Sequence, residues 1–160
     1  IALPNIEEIP LHQIDLNCEF FDSLRVDYPG FDEWFRSKAR EGRHAWVYWD
    51  NQSNLGALII FKEEVDHIVT SDNVAIPGNL LKLCTFKVGP QIRGKKIGEL
   101  LLKSAFRFAT DNGFEHIYLT LKPHKQEFLK ELCTDFGFYS FGEYKNDEVF
   151  VKDHPINSPT

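Results

Sequence analysis

The densest chemistry in this 160-residue chain lies between residues 82 and 103. Lys82, Lys87, Arg93, Lys95, Lys96 and Lys103 stand there against one acid, Glu99, in a chain whose formal charge is −6. Gly89-Pro90-Gln91-Ile92-Arg93-Gly94-Lys95-Lys96 forms a glycine-containing turn that leads into a helical pattern. Helix N-termini expose amides and carry partial positive charge, so an anion such as a phosphate suits this segment. The same run nearly spells the nucleotide loop G-x-x-x-x-G-K-[ST]. Lys96, however, stands where a hydroxyl must hold Mg²⁺, and no aspartate follows Leu119-Thr120-Leu121. Pro90 also removes an amide from the cradle, which argues against a nucleotide triphosphatase.

Groups able to move protons are scattered more thinly. Glu63, Glu64, Asp66 and His67 follow an apolar segment at 55–61 and are candidates for a general base. Six histidines (His12, His44, His67, His116, His124 and His154) show neither H-x-x-x-H nor Cys/His pair spacing, so no metal site is expected. Cys18, Cys84 and Cys133 are odd in number and widely spaced, which points away from a disulfide framework. Unpaired thiols suit a reducing compartment, and a cytoplasmic location is the expectation. No adjacent base marks any of them as a nucleophile, and no G-x-S-x-G motif is present.

The elements that must position these groups can be read from periodicity. Phe21, Leu24 and Val26 suit a short helix that Pro29-Gly30 interrupts, and 31–41 repeats apolar residues at helical spacing. Ala45 to Trp49 and 55–61 flank turn chemistry and predict a hairpin. The acidic stretch 63–79, ending Pro77-Gly78-Asn79, reads as a loop or irregular edge. Strand 81–88, helix 95–112 and strand 116–121 then make a parallel strand–helix–strand unit. Helix 126–136 and a hairpin of 138–144 with 148–152 complete an α/β domain over 1–152, with 153–160 as a polar tail or linker.

Composition bounds the function. At 42% hydrophobic and 26% charged the chain is an ordinary globular domain, long enough to build a core without staples. Its longest apolar run, Ala57 to Phe61, is far short of a membrane helix. The acidic total argues against non-specific nucleic-acid binding. With no methionine and a start at Ile1, the chain reads as an engineered piece, a processed chain or a domain of a longer protein.

Taken from Phe86 through Leu101, the basic segment resembles the acyl-coenzyme A signature of the GNAT superfamily of N-acetyltransferases, R/Q-x-x-G-x-G/A. Arg93, Ile97 and Gly98 fill its first, fifth and sixth places, and Lys96 replaces its first glycine. The flanking strand, helix and strand fit as well, and Leu132-Cys133-Thr134-Asp135-Phe136-Gly137-Phe138 is similar to the family's L-Y-x-x-x-G-F ending. The resemblance implies an α/β fold with a mixed, mostly antiparallel sheet and helices on both faces. It implies acetyl-CoA as cofactor and direct transfer of an acetyl group to an amine of a small molecule or protein.

By the same resemblance, Phe86, Lys87 and Val88 would meet the pantetheine arm at a strand edge opened where two central strands splay. Arg93, Gly94, Lys95, Lys96, Ile97, Gly98 and Glu99 would surround the pyrophosphate. Direct transfer needs a base, for which Glu63 and Glu64 are candidates, and an acid, for which Cys133 holds the family's tyrosine position and Tyr118 and Tyr139 are substitutes. The alternative is a catalytically silent acyl-CoA-binding regulatory or interaction domain. Acetyl-CoA and free coenzyme A, but not ATP, should raise the melting temperature, by about 2.7 kcal/mol of stability at 100 times the dissociation constant. Charge reversal at Arg93 and Lys96 should abolish that rise in a thermal melt.

Overall fold

The computed structural model describes residues 6–50, 52–89 and 95–153. Within them run β1 (Ile6–Pro10), α1 (Asp22–Asp27), α2 (Phe31–Arg40), β2 (His44–Trp49), β3 (Leu55–Ile68) and β4 (Ala75–Val88). They are followed by α3 (Lys95–Asp111), β5 (His116–Leu121), α4 (Glu127–Asp135), β6 (Tyr139–Tyr144) and β7 (Asp147–Asp153). The strands form one sheet in the order β1-β2-β3-β4-β5-β7-β6. β4 and β5 pair in parallel, while β1–β2, β2–β3, β5–β7 and β6–β7 are antiparallel. This is the expected mixed, mostly antiparallel α/β fold. No helix among the described residues is long and apolar enough to cross a membrane.

The chain divides into two compact units, one of Ile1–Ile60 with Lys87–Leu101 and one of Phe61–Phe86 with Leu102–Thr160. In the first, β1 lies at the sheet edge, pairing Ile6 with Tyr48 through to Pro10 with His44. Its adjacent Glu7 and Glu8 break the apolar alternation, so sequence periodicity does not announce it. Phe21, Phe31 and Phe35 are buried with ring centroids 5.6 to 6.1 Å apart, and they hold α1 and α2 together. Arg25 ties the same segment down, bonding Asp22 at 2.7 Å, Asp32 at 2.9 Å and the Leu16 carbonyl.

Lys87, at the end of β4, reaches this segment too. Its ammonium donates to the Phe20 carbonyl and the Ser23 hydroxyl and stands 4.9 Å from the Phe20 ring centroid. Next along the chain, the Gly89 amide donates to the Gly56 carbonyl at 2.8 Å.

The second unit departs from expectation at 63–79. That stretch is strand: β3 continues to Ile68, β4 starts at Ala75, and the Val69 amide donates to the Val74 carbonyl to close the hairpin. The acids here are strand residues, and Glu64 is buried in the ladder rather than solvated in a loop. Pro77 and Gly78 also belong to the strand. Gly78 has a φ of +89°, and its amide donates to the Asp66 carboxylate at 2.6 Å. The Glu115 carboxylate oxygen lies 1.5 Å from where a Gly78 Cβ would stand, so a side chain there would displace Glu115 and strain the left-handed backbone.

Register sorts this unit into two faces. Ile117, Leu119 and Leu121 of β5 pair with Lys152, Phe150 and Glu148 of β7. Helices cover that face: Lys130 of α4 meets Glu148 and the Phe150 ring, and Phe106 of α3 lies under Lys152. Phe61 joins it through Phe108, centroids 5.1 Å apart. On the opposite face Tyr118 packs with Val69, Ile76, Leu80, Val149 and Val151, so the hairpin tip itself is the cover. The tip is fastened to β6, where the Ser71 amide donates to the Glu143 carbonyl at 2.8 Å.

Gly89 offers a test of close approach. An alanine Cβ there would lie 2.9 Å from the Gly56 carbonyl oxygen, a backbone atom that cannot swing away. Gly89→Ala should cost about 1–3 kcal/mol, read as a melting temperature lower by roughly 3 °C per kcal/mol.

Candidate active site

β4 and β5 pair over three rungs only: Leu80 with His116, Leu81 with Ile117, and Lys82 with Tyr118. β4 then runs on to Val88 and β5 to Leu121, with no further rung between them among the described residues. Because β5 stays paired with β7 along its whole length, the parting is confined to its β4 side. A strand edge opened in this way can accept an extended ligand through main-chain hydrogen bonds.

Polar side chains gather at the last rung. The Tyr118 hydroxyl donates to Glu64 Oε1, joining β5 to β3 across 54 residues of sequence. Lys62 Nζ lies 3.2 Å and His67 Nε2 3.5 Å from Glu64 Oε2. Lys82 Nζ stands over the Tyr118 ring, 5.8 Å from its centroid. The Glu64 side chain is only 4% exposed, while those of Lys62 and His67 are 36% and 47% exposed. A buried carboxylate thus runs between a buried phenol and two cation-forming groups at the surface. Lone burial of such a charge is costly, and these partners are what make it tolerable.

Burial raises the Tyr118 pKa, and the Glu64 hydrogen bond and charge raise it further. The phenol therefore keeps its proton and acts as a donor. Among the other proton-transfer candidates, Glu63 is exposed on the strand next to Glu64. Cys133 is fully buried in α4, and burial pushes its thiol up to about 12. Tyr139 is exposed and donates to Asp153 at 3.1 Å, next to the 2.9 Å contact of His116 with the same oxygen.

The cofactor candidates also separate. Phe86 and Val88 are buried near the end of β4, and Lys87 is engaged with Phe20 and Ser23. Arg93 and Gly94 lie outside the described residues, as does the side chain of Lys95. Lys96 is exposed, Ile97 and Glu99 are half-buried and Gly98 is buried on the opening turns of α3. Lys62 and Lys82 had no signal as partners of this centre, because their spacing to Tyr118 is set only by the sheet register. Among the described residues no cluster of His, Cys, Asp and Glu could hold a metal ion.

The raised Tyr118 pKa has a signed consequence. An unfolded tyrosine ionises near pH 10, so above that pH the unfolded chain loses a proton that folded Tyr118 retains. Its stabilising contribution is full below about pH 10 and declines as pH rises towards the higher folded value. Denaturant titrations should show wild type losing up to about 1.4 kcal/mol more per pH unit than Tyr118→Phe over that window.

Residues 9–138 match the acetyltransferase (GNAT) family. No curated protein matches the chain by sequence. Its fold is similar to that of an IAA acetyltransferase from Bacillus cereus ATCC 14579, at 14% identity and a TM-score of 0.66, covering 93% of this chain and 98% of that one. It is similar to a PaiA N-acetyltransferase from Thermoplasma acidophilum in complex with coenzyme A, at 16% identity and a TM-score of 0.64, covering 93% and 99%. It is also similar to Arabidopsis thaliana NAA60 in complex with a bisubstrate analogue, at 16% identity and a TM-score of 0.63, covering 93% and 98%. The β4 edge left open where β5 parts from it fits an extended thioester cofactor. The chain belongs to the acetyltransferase (GNAT) family, whose cofactor is acetyl-CoA.

Proposed function

We propose that this protein transfers an acetyl group from acetyl-CoA to the amine of a small-molecule or protein acceptor, by direct attack, in the cytoplasm. The observation that carries the reading is the parting of β4 from β5 beside the buried Glu64–Tyr118 pair. A reaction centre needs an entry for the thioester and a proton acceptor within one small volume. Cys18, Cys84 and Cys133 form no disulfide, which supports a reducing compartment.

The residues divide the work. Phe86 and Val88, with the backbone between them, border the pantetheine path, and the run from Arg93 to Glu99 supplies the positive charge that the phosphate end needs. The Lys87 side chain holds the 20–23 segment in place, and its backbone lies between Phe86 and Val88. Bound acetyl-CoA supplies an activated thioester whose C–S bond breaks as the N–C bond forms, the sulfur leaving with one amine proton. Glu64, through the Tyr118 hydroxyl, takes the other proton, so that a neutral amine attacks. Glu63 borders the acceptor side, and Cys133 has a packing role.

The test is release of coenzyme A thiol from acetyl-CoA against a panel of amines, with longer acyl thioesters as a second series. Glu64→Gln should lower kcat by about 10²- to 10⁴-fold and leave KM for acetyl-CoA close to wild type. Tight coenzyme A binding without turnover on any amine would contradict the enzymatic reading.

A further inference from the structure

Glu64 and His67 are three residues apart on one strand, and in regular β-structure that spacing puts side chains on opposite faces. Here they meet: His67 Nε2 stands 3.5 Å from Glu64 Oε2. The backbone between them explains how. Asp66 has a φ of +48°, a left-handed conformation unusual for a side-chain-bearing residue, and it reverses the alternation just before His67. The irregularity is locked on both strands. Asp66 accepts the Gly78 amide at 2.6 Å, Gly78 is itself left-handed at +89°, and Glu115 fills the space where a Gly78 side chain would stand.

We propose that this bulge positions His67 as the proton exit of the acyl-transfer site, carrying to solvent the proton that Tyr118 and Glu64 receive from the acceptor amine. The inference rests on the acyltransferase reading. A base with 4% exposure cannot return its proton to water directly, whereas a 47% exposed imidazole can. One ammonium proton passes to Tyr118 Oη while the Tyr118 proton moves to Glu64 Oε1, leaving the phenol neutral throughout. The protonated carboxyl turns and gives that proton to His67 Nε2, and the imidazolium releases it to water. Each group then regains its starting charge, and the second amine proton leaves on the coenzyme A sulfur.

The charged and titratable groups facing this path come from four strands. Lys62 of β3 balances the Glu64 charge at 3.2 Å, and Lys82 and Cys84 of β4 and Tyr144 of β6 act on Tyr118 of β5.

His67→Gln and His67→Ala, both at an exposed position, provide the variants, and two readouts separate the possible failures. The first needs no cofactor: the ¹⁵N shifts of the His67 ring nitrogens should differ between wild type and Glu64→Gln, and identical shifts would overturn the contact. The second is kinetic. Either variant should lower kcat roughly tenfold or more, keep KM for acetyl-CoA, change the pH–rate profile and recover activity with added imidazole. A purely structural histidine would show no such rescue. Wild-type turnover with unaltered kcat and pH profile in both variants would overturn the proton exit alone. A wild type inactive on every amine would overturn the acyltransferase reading and the exit together.

Discussion

Taking the Glu64 carboxylate out of water costs several kcal/mol unless other polar groups replace the solvent it loses. Tyr118, Lys62 and His67 do this, and each reaches Glu64 by a different backbone device. Lys62 is two residues away on the same face of β3, which ordinary strand alternation provides. Tyr118 arrives because β5 inserts beside β4 in parallel, which requires the α3 crossover. His67 arrives through a left-handed residue, a conformation that costs of order 1–3 kcal/mol and persists only where its surroundings determine it. The far half of the β3–β4 hairpin adds to this burial, since Val69 and Ile76 pack with Tyr118 in one buried cluster.

Within the basic segment of the sequence, Lys82, Lys87 and Lys96 each stand in a different local setting. Lys82 stacks over the Tyr118 ring at the last rung of the parallel ladder. Lys87 is fixed to the Phe20 carbonyl and the Ser23 hydroxyl, so it joins the end of β4 to the segment leading into α1. Lys96 remains exposed on the first turn of α3, where helix-terminal amides and the dipole favour an anion. Charges that are neighbours along the chain act in different places because β4 is extended and alternates its side chains.

Much of the architecture was legible in the chain. Helix α3 shows its apolar stripe, β5 shows clean alternation, and the strand–helix–strand unit between 81 and 121 implies the parallel pair that forms. Two strand regions were not. β1 carries adjacent glutamates at a sheet edge, and the far half of the β3–β4 hairpin mixes acids with Pro77 and Gly78, which ordinarily signal a loop. Glu64 could be singled out as one acid among several. Its selection over Glu63 depends on which face of the strand is buried, and its bond to Tyr118 depends on a register between residues 54 apart. No local pattern encodes either fact.

A crystal structure with coenzyme A bound would test the central claim most directly. The account predicts the pantetheine arm along β4 beyond Lys82, on the side where β5 parts from it, with the thiol directed towards the Tyr118 and Glu64 end of the opening. Coenzyme A bound along a different edge of the sheet, with its thiol remote from Tyr118, would contradict it.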